Sequence, residues 1–171
     1  MSVNPTRKGI LKAFDLLGVK YSLKNKNMSG GEETADILVE RSDMRAIQIT
    51  AKDVPSMIDE LPLVALLCAF ADGESVISGA KELRVKESDR IATTTKMIRD
   101  LGGDCTETDD GFIIHGKEKL QGGTVDSFLD HRIAMSAAVG LLASVNGGSI
   151  LREECCAISF PDFFEKLGLK E

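Results

Sequence analysis

The 171-residue chain has no apolar run near the roughly 18 residues that a bilayer-crossing helix needs, and its amino terminus lacks a signal-peptide pattern. A membrane partner is therefore not expected. Its four cysteines, Cys68, Cys105, Cys155 and Cys156, show no C-x-x-C spacing, so neither a zinc site nor a disulfide framework is indicated, and a reducing, cytoplasmic setting is expected. Positive charge is also short. Lysine and arginine number 21 against 27 aspartates and glutamates, giving a net charge of -6 and a pI near 5.0. Nucleic acids and anionic membranes are held by broad basic surfaces, so neither class of partner fits, and any basic cluster must be local. No linker rich in proline, glycine or serine divides the chain, which reads as one domain. With 43% hydrophobic and 28% charged residues it is long enough to bury a core.

What is present is an alternation of strand and helix signals. "NPTRKGILKAFDLLG" predicts a helix with Asn4 as N-cap, Pro5 at the first helical position and Gly18 as terminator. "TADILVE" and "RAIQIT" read as strands, "MIDELPLVALLCAFADG" as a buried helix near 59–72, and "ESVISGA" as a strand. "SDRIATTTKMIRDLGG" predicts a helix near 88–101, and "DCTETDDGFIIHG" a hairpin turning at Asp110-Gly111. The order then partly recurs in a strand "GGTVDSF", a helix "LDHRIAMSAAVGLLASVNGG" with Asp130 as possible N-cap, a strand "SILREE" and a closing helix "FPDFFEKLG". Such alternation predicts α/β layers, with helices covering the sheets.

Three helix starts carry an arginine beside a polar group: "NPTR", "KESDR" and "DHR". In "LRVKESDRIA", Lys86 and Arg90 sit four apart at a helix start, where the dipole disfavours cations and like charges repel. A bound anion would resolve the conflict, because free backbone N–H groups and a planar guanidinium both suit carboxylate or phosphate. The plainer alternative is local pairing, Arg90 with Glu87 and Arg132 with a nearby acid. Ser88 and Asp89 read as helix caps. His115 has no motif around it.

The segments "LRVKESDRIA", "DHRIAM", "NPTR", "IDELP" and "SFPDFF" together resemble the carboxyl-terminal part of the 5-enolpyruvylshikimate-3-phosphate synthase family. The resemblance runs from about Val3 to Leu169, with the segments in family order. It implies a fold of repeated βαβαββ units, of α/β (α+β) class: residues 1–50 would end one unit, 51–118 form a complete one, and 119–171 begin a third. It also implies transfer of the enolpyruvyl group of phosphoenolpyruvate to the 5-hydroxyl of shikimate 3-phosphate, with release of phosphate and with no metal or organic cofactor. By motif position, Asp59 matches the aspartate that contacts the attacking hydroxyl and serves in proton transfer, and Glu87 the glutamate that protonates the methylene carbon of phosphoenolpyruvate. Lys86 matches the lysine at the shikimate-phosphate site. Arg90 and Arg132 match the arginines that clamp phosphoenolpyruvate, while Asp130 and His131 match residues flanking the same ligand.

Three departures accompany the match. Ile158 stands where some members carry a lysine, and Glu82 where some carry an asparagine. The family also builds two domains, each of three such units, so the chain reads as a carboxyl-terminal fragment whose further partner is the amino-terminal remainder of the same enzyme. A relative of UDP-N-acetylglucosamine enolpyruvyl transferase and a non-catalytic anion-binding module of the same fold are the alternatives.

Overall fold

The computed structural model describes residues 1–4 and 8–169. Helix α1 spans Gly9–Leu17 and ends at Gly18, whose φ of 80° is the left-handed conformation that glycine adopts without strain. The helix begins later than the sequence suggested. Lys8, not Asn4, precedes its first turn, and the Asn4 amide instead donates to the Ser2 hydroxyl at 3.2 Å. Pro5 and Arg7 lie outside the described residues. The bare Cα of Gly9 lets the helix start press on the Ser56 carbonyl, which an added Cβ would meet at 2.4 Å.

Strands β1 (Tyr21–Ser29) and β2 (Glu32–Val39) form an antiparallel hairpin. β1 has no apolar alternation to read, because Lys24, Asn25, Lys26 and Asn27 all face solvent. The next stretch, β3 (Gln48–Ile49), α2 (Leu61–Ala69), β4 (Glu74–Ile77), α3 (Arg90–Asp100), β5 (Asp104–Thr108) and β6 (Gly111–His115), builds a four-stranded sheet of order β3-β4-β6-β5. β3 and β4 are parallel across α2, and the remaining neighbours are antiparallel. β3 starts three residues upstream of the boundary read from the sequence. The tail carries β7 (Gly123–Asp126), α4 (His131–Ala143) and β8 (Gly148–Leu151), with β7 and β8 parallel, then a 3-10 turn, Glu153–Ile158, and the short α5, Phe163–Lys166.

The hairpin between β5 and β6 turns one residue earlier than the sequence suggested, on Asp109 and Asp110, with Thr108 opposite Gly111. Gly111 is needed for proximity, since a Cβ there would stand 1.8 Å from the Ile77 carbonyl oxygen of β4. α2 is apolar around its whole circumference, as a helix enclosed by others must be, and Pro62 in its first turn removes only an amide that has no intrahelical partner. α2, α3 and α4 pack pairwise. Leu61, Val64, Ile91, Ile98, Ile133 and Ala137 are fully buried in this one core, and each of the larger aliphatic side chains contributes about 1.5–3 kcal/mol relative to exposure. The packing brings the starts of the three helices together at one end.

Candidate anion-binding and catalytic site

Each helix start presents its charges for a local reason. Asp89 caps α3, its Oδ1 accepting from the amides of Ile91 and Ala92 at 3.1 Å each. Asp130 caps α4, its Oδ1 accepting from the Arg132 amide at 2.9 Å. The approach to Asp130 is bent by Phe128 and Leu129, whose φ values of 53° and 61° are left-handed and costly for residues with a Cβ. The Asp126 carboxylate accepts from the Phe128 amide, and the Ser127 hydroxyl from the Leu129 amide, which fixes that bend. Asp59 lies in the turn before α2, two residues short of the helix expected to begin with it.

Arg90, the first residue of α3, joins all three starts. Its side chain is 1% exposed, and its guanidinium grips the fully buried Asp130 from the side, Nε to Oδ2 at 2.8 Å and Nη2 to Oδ1 at 3.3 Å. Nη2 also donates to Glu87 Oε2 at 2.6 Å, and Nη1 to Asp59 Oδ1 at 3.4 Å. Arg132 reaches the same turn, Nη1 donating to the Asp59 carbonyl oxygen at 2.9 Å and Nη2 lying 3.4 Å from Asp59 Oδ2. Ser88 adds its hydroxyl to Asp130 Oδ2 at 2.9 Å. Burial pushes the Asp130 carboxyl up, but the bond and charge of Arg90, with the Ser88 hydroxyl and Arg132 amide, outweigh it and hold the carboxyl below its ordinary range.

The cluster therefore has a buried floor, Arg90 and Asp130, and a half-exposed rim: Asp59 at 46%, Glu87 at 52% and Arg132 at 32% side-chain exposure. Lys86 stands beside Glu87 in the chain, but its ammonium pairs with Glu82 Oε1 at 2.7 Å. His131 opens α4 half-buried, and among the described residues no hydrogen bond or ion pair joins its imidazole to the cluster. Local pairing and convergence both occur, since Arg90 does bind Glu87 and also spans 40 residues to Asp130. Two contributors were not read as such from the sequence. Ser88 does not cap α3 but bonds to Asp130. Arg84 makes three bonds of its own, to the Thr108 and Asp109 carbonyl oxygens and to Asp89. Of the two departures at single residues, Glu82 is engaged with Lys86, and Ile158 is 86% exposed in the Glu153–Ile158 turn.

Chemically, the rim offers two carboxylates that can exchange protons beside cations that can hold an anion. The floor sets the Arg90 guanidinium beneath them with the Asp130 carboxylate as its counter-charge, in a region of low dielectric where charges interact more strongly than in water.

The comparisons with known proteins point to one family. The family model for EPSP synthase (3-phosphoshikimate 1-carboxyvinyltransferase) matches residues 1–167. Curated 3-phosphoshikimate 1-carboxyvinyltransferases are 46% identical over 96% of the chain in a Sulfurihydrogenibium species and 47% identical over 98% in Desulforudis audaxviator. The chain spans 38% and 39% of their lengths. Among solved structures, EPSP synthase from Acinetobacter baumannii superposes with a TM-score of 0.93 at 39% identity, covering 98% of this chain and 40% of that one. An enolpyruvyl transferase from Streptomyces tendae shares the fold at a TM-score of 0.68 and 21% identity, covering 95% of this chain and 35% of that one. Family model, relatives and superposition coincide over nearly every residue, and the chain belongs to the EPSP synthase family.

Proposed function

We propose that this chain is the carboxyl-terminal part of a two-domain 3-phosphoshikimate 1-carboxyvinyltransferase of aromatic amino-acid biosynthesis. It would contribute one face of a site shared with the remainder of that cytoplasmic enzyme. The observation that carries this reading is the buried Arg90–Asp130 pair, which holds Asp59, Glu87 and Arg132 at one half-exposed rim.

In this reading Asp59 accepts the proton of the 5-hydroxyl of shikimate 3-phosphate as its oxygen bonds to the central carbon of phosphoenolpyruvate. Glu87 gives a proton to the methylene carbon. Loss of a proton from the resulting methyl group to the Glu87 carboxylate then restores the double bond and expels phosphate, which takes up the proton held on Asp59. Arg132 receives the phosphoenolpyruvate carboxylate, and Lys86 the shikimate 3-phosphate. Arg90 is buried, so its outer edge meets a ligand carboxylate only when that group replaces Glu87 or Asp59 on its Nη atoms. Asp130 acts from beneath, fixing Arg90 and the Arg132 backbone. His131 lies in sequence between Asp130 and Arg132 and flanks the ligand.

Enolpyruvyl transfer needs both substrates enclosed and held in line, and much of the rate comes from that enclosure. The 171-residue chain alone is expected to give no turnover and only weak, salt-sensitive binding of phosphoenolpyruvate or phosphate. In a full-length enzyme containing it, Asp59→Asn or Glu87→Gln should lower kcat by orders of magnitude, and Arg132→Ala should chiefly raise KM for phosphoenolpyruvate. Phosphate release from the two substrates is the assay. A full-length Asp59→Asn enzyme working at the parental rate would sink the catalytic assignment.

A further inference from the structure

The site loop runs from Leu83 to Arg90, both buried in the core, and between them Val85, Lys86 and Glu87 project towards solvent or the rim. Something must fix where that loop stands. Lys86 touches only the neighbouring Glu82, and Glu87 only Arg90, among the described bonds. Arg84 instead reaches a different element. Its Nε donates to the Asp109 carbonyl oxygen at 3.0 Å and its Nη2 to the Thr108 carbonyl oxygen at 2.7 Å, both at the turn between β5 and β6. Its Nη1 donates to Asp89 Oδ2 at 2.8 Å, while the other oxygen of that carboxylate caps α3.

We propose that Arg84 is a positioning residue for the anion site, clamping the Lys86-Glu87 loop and the α3 cap to the β5–β6 turn. It touches no ligand. The claim that the loop serves an anion rests on the functional reading above; the clamp itself rests on the three bonds. The β5–β6 turn is a firm anchor because Asp110 is itself tied across to the same segment. Its Oδ2 accepts from the Gly79 amide and its carbonyl oxygen from the Ala80 amide, each at 2.7 Å. The turn and the loop are thus closed on each other from two sides, by Asp110 before the 3-10 turn Lys81–Val85 and by Arg84 within it.

The chemistry needs arginine. Two backbone oxygens and a carboxylate lie around one planar group whose N–H bonds diverge in fixed directions, whereas a lysine ammonium is a point charge on a flexible stem. Without the clamp, Lys86 and Glu87 keep their local partners but lose their fixed place relative to Asp59 and Arg132. A displacement of about 1 Å in such groups is enough to weaken catalysis strongly.

The test uses the 171-residue chain with inorganic phosphate and phosphoenolpyruvate as probes, alongside amide hydrogen exchange. Arg84→Ala should weaken both anions several-fold and expose the amides of residues 86–92 to exchange, while central β6 amides stay protected. Arg84→Lys should restore little. A control, Leu11→Ala in α1, chosen for a comparable or larger loss of melting temperature, should leave anion affinity and exchange at 86–92 as in the parent. The positioning role is overturned if Arg84→Ala lowers the melting temperature while affinity and exchange at 86–92 stay at parental values. Should the parent bind neither anion, the functional reading fails, and the exchange comparison alone decides whether Arg84 holds the loop.

Discussion

The helix-start cluster and the β1–β2 hairpin are both rich in charge, yet they use it in opposite ways. In the hairpin, Lys26 and Glu33 lie 3.9 Å apart with side chains 57% and 50% exposed, so water competes for both ions and salt screens them. At the helix starts, Arg90 and Asp130 meet at 2.8 Å with almost no exposure, and every further carboxylate in reach is oriented by them. Each pair joins one basic to one acidic side chain. The difference lies in burial, which makes the inner pair obligatory and leaves the outer one optional.

Removing half of the inner pair should give the largest effect. Arg90→Ala leaves the Asp130 charge buried without its main partner, and breaking such a pair costs about 3–5 kcal/mol. Urea unfolding of the chain measures this, and a loss below 1 kcal/mol would show that the pair is not the keystone it resembles. The double change Arg90→Met with Asp130→Leu should recover much of the stability, since apolar replacements of buried ion pairs are often neutral or better. It should not recover anion binding.

A smaller effect follows from pH. Asp130 is held below its ordinary range, so the folded chain binds fewer protons there than the unfolded chain does. That stability is present above the unfolded carboxyl value of about 3.9 and is lost as pH falls through the lower folded value. Unfolding free energy of the parent should therefore drop more steeply than that of Asp130→Asn as pH is lowered below about 4. Equal slopes for the two proteins would remove Asp130 from the account. The smallest effect belongs to the hairpin: Lys26→Ala should change stability by no more than about 0.5 kcal/mol, and a larger loss in urea would mean that the outer pair is less optional than its exposure implies.

Legibility in the sequence followed the range of the interaction. The buried character of α2 and the α3 and α4 helices could be read because caps, periodicity and terminators act within a few residues. β1 could not, since beyond Leu23 it is exposed on both faces and carries no alternation of apolar residues. The Asn4 cap failed for a tertiary reason: α1 begins where Gly9 can pack against Ser56, a neighbour 47 positions away that no local pattern announces. Gly111 looked like half of a turn and proved to be a point of close approach to β4.

The charged site divides in the same way. Sequence alone offered Ser88 and Asp89 as caps of a helix near 88–101 and Asp130 as cap of the next, and it set Glu87 three residues from Arg90, because backbone geometry converts such short spacings into caps and an ion pair. Only the tertiary structure decided that Arg90 would close on Asp130, that Asp59 would face both arginines, and that Arg84 would reach the Thr108 and Asp109 carbonyl oxygens. Those partners lie 24 to 73 residues apart in the chain. They meet because the apolar faces of α2, α3 and α4 bury one another and carry their charged ends to one place.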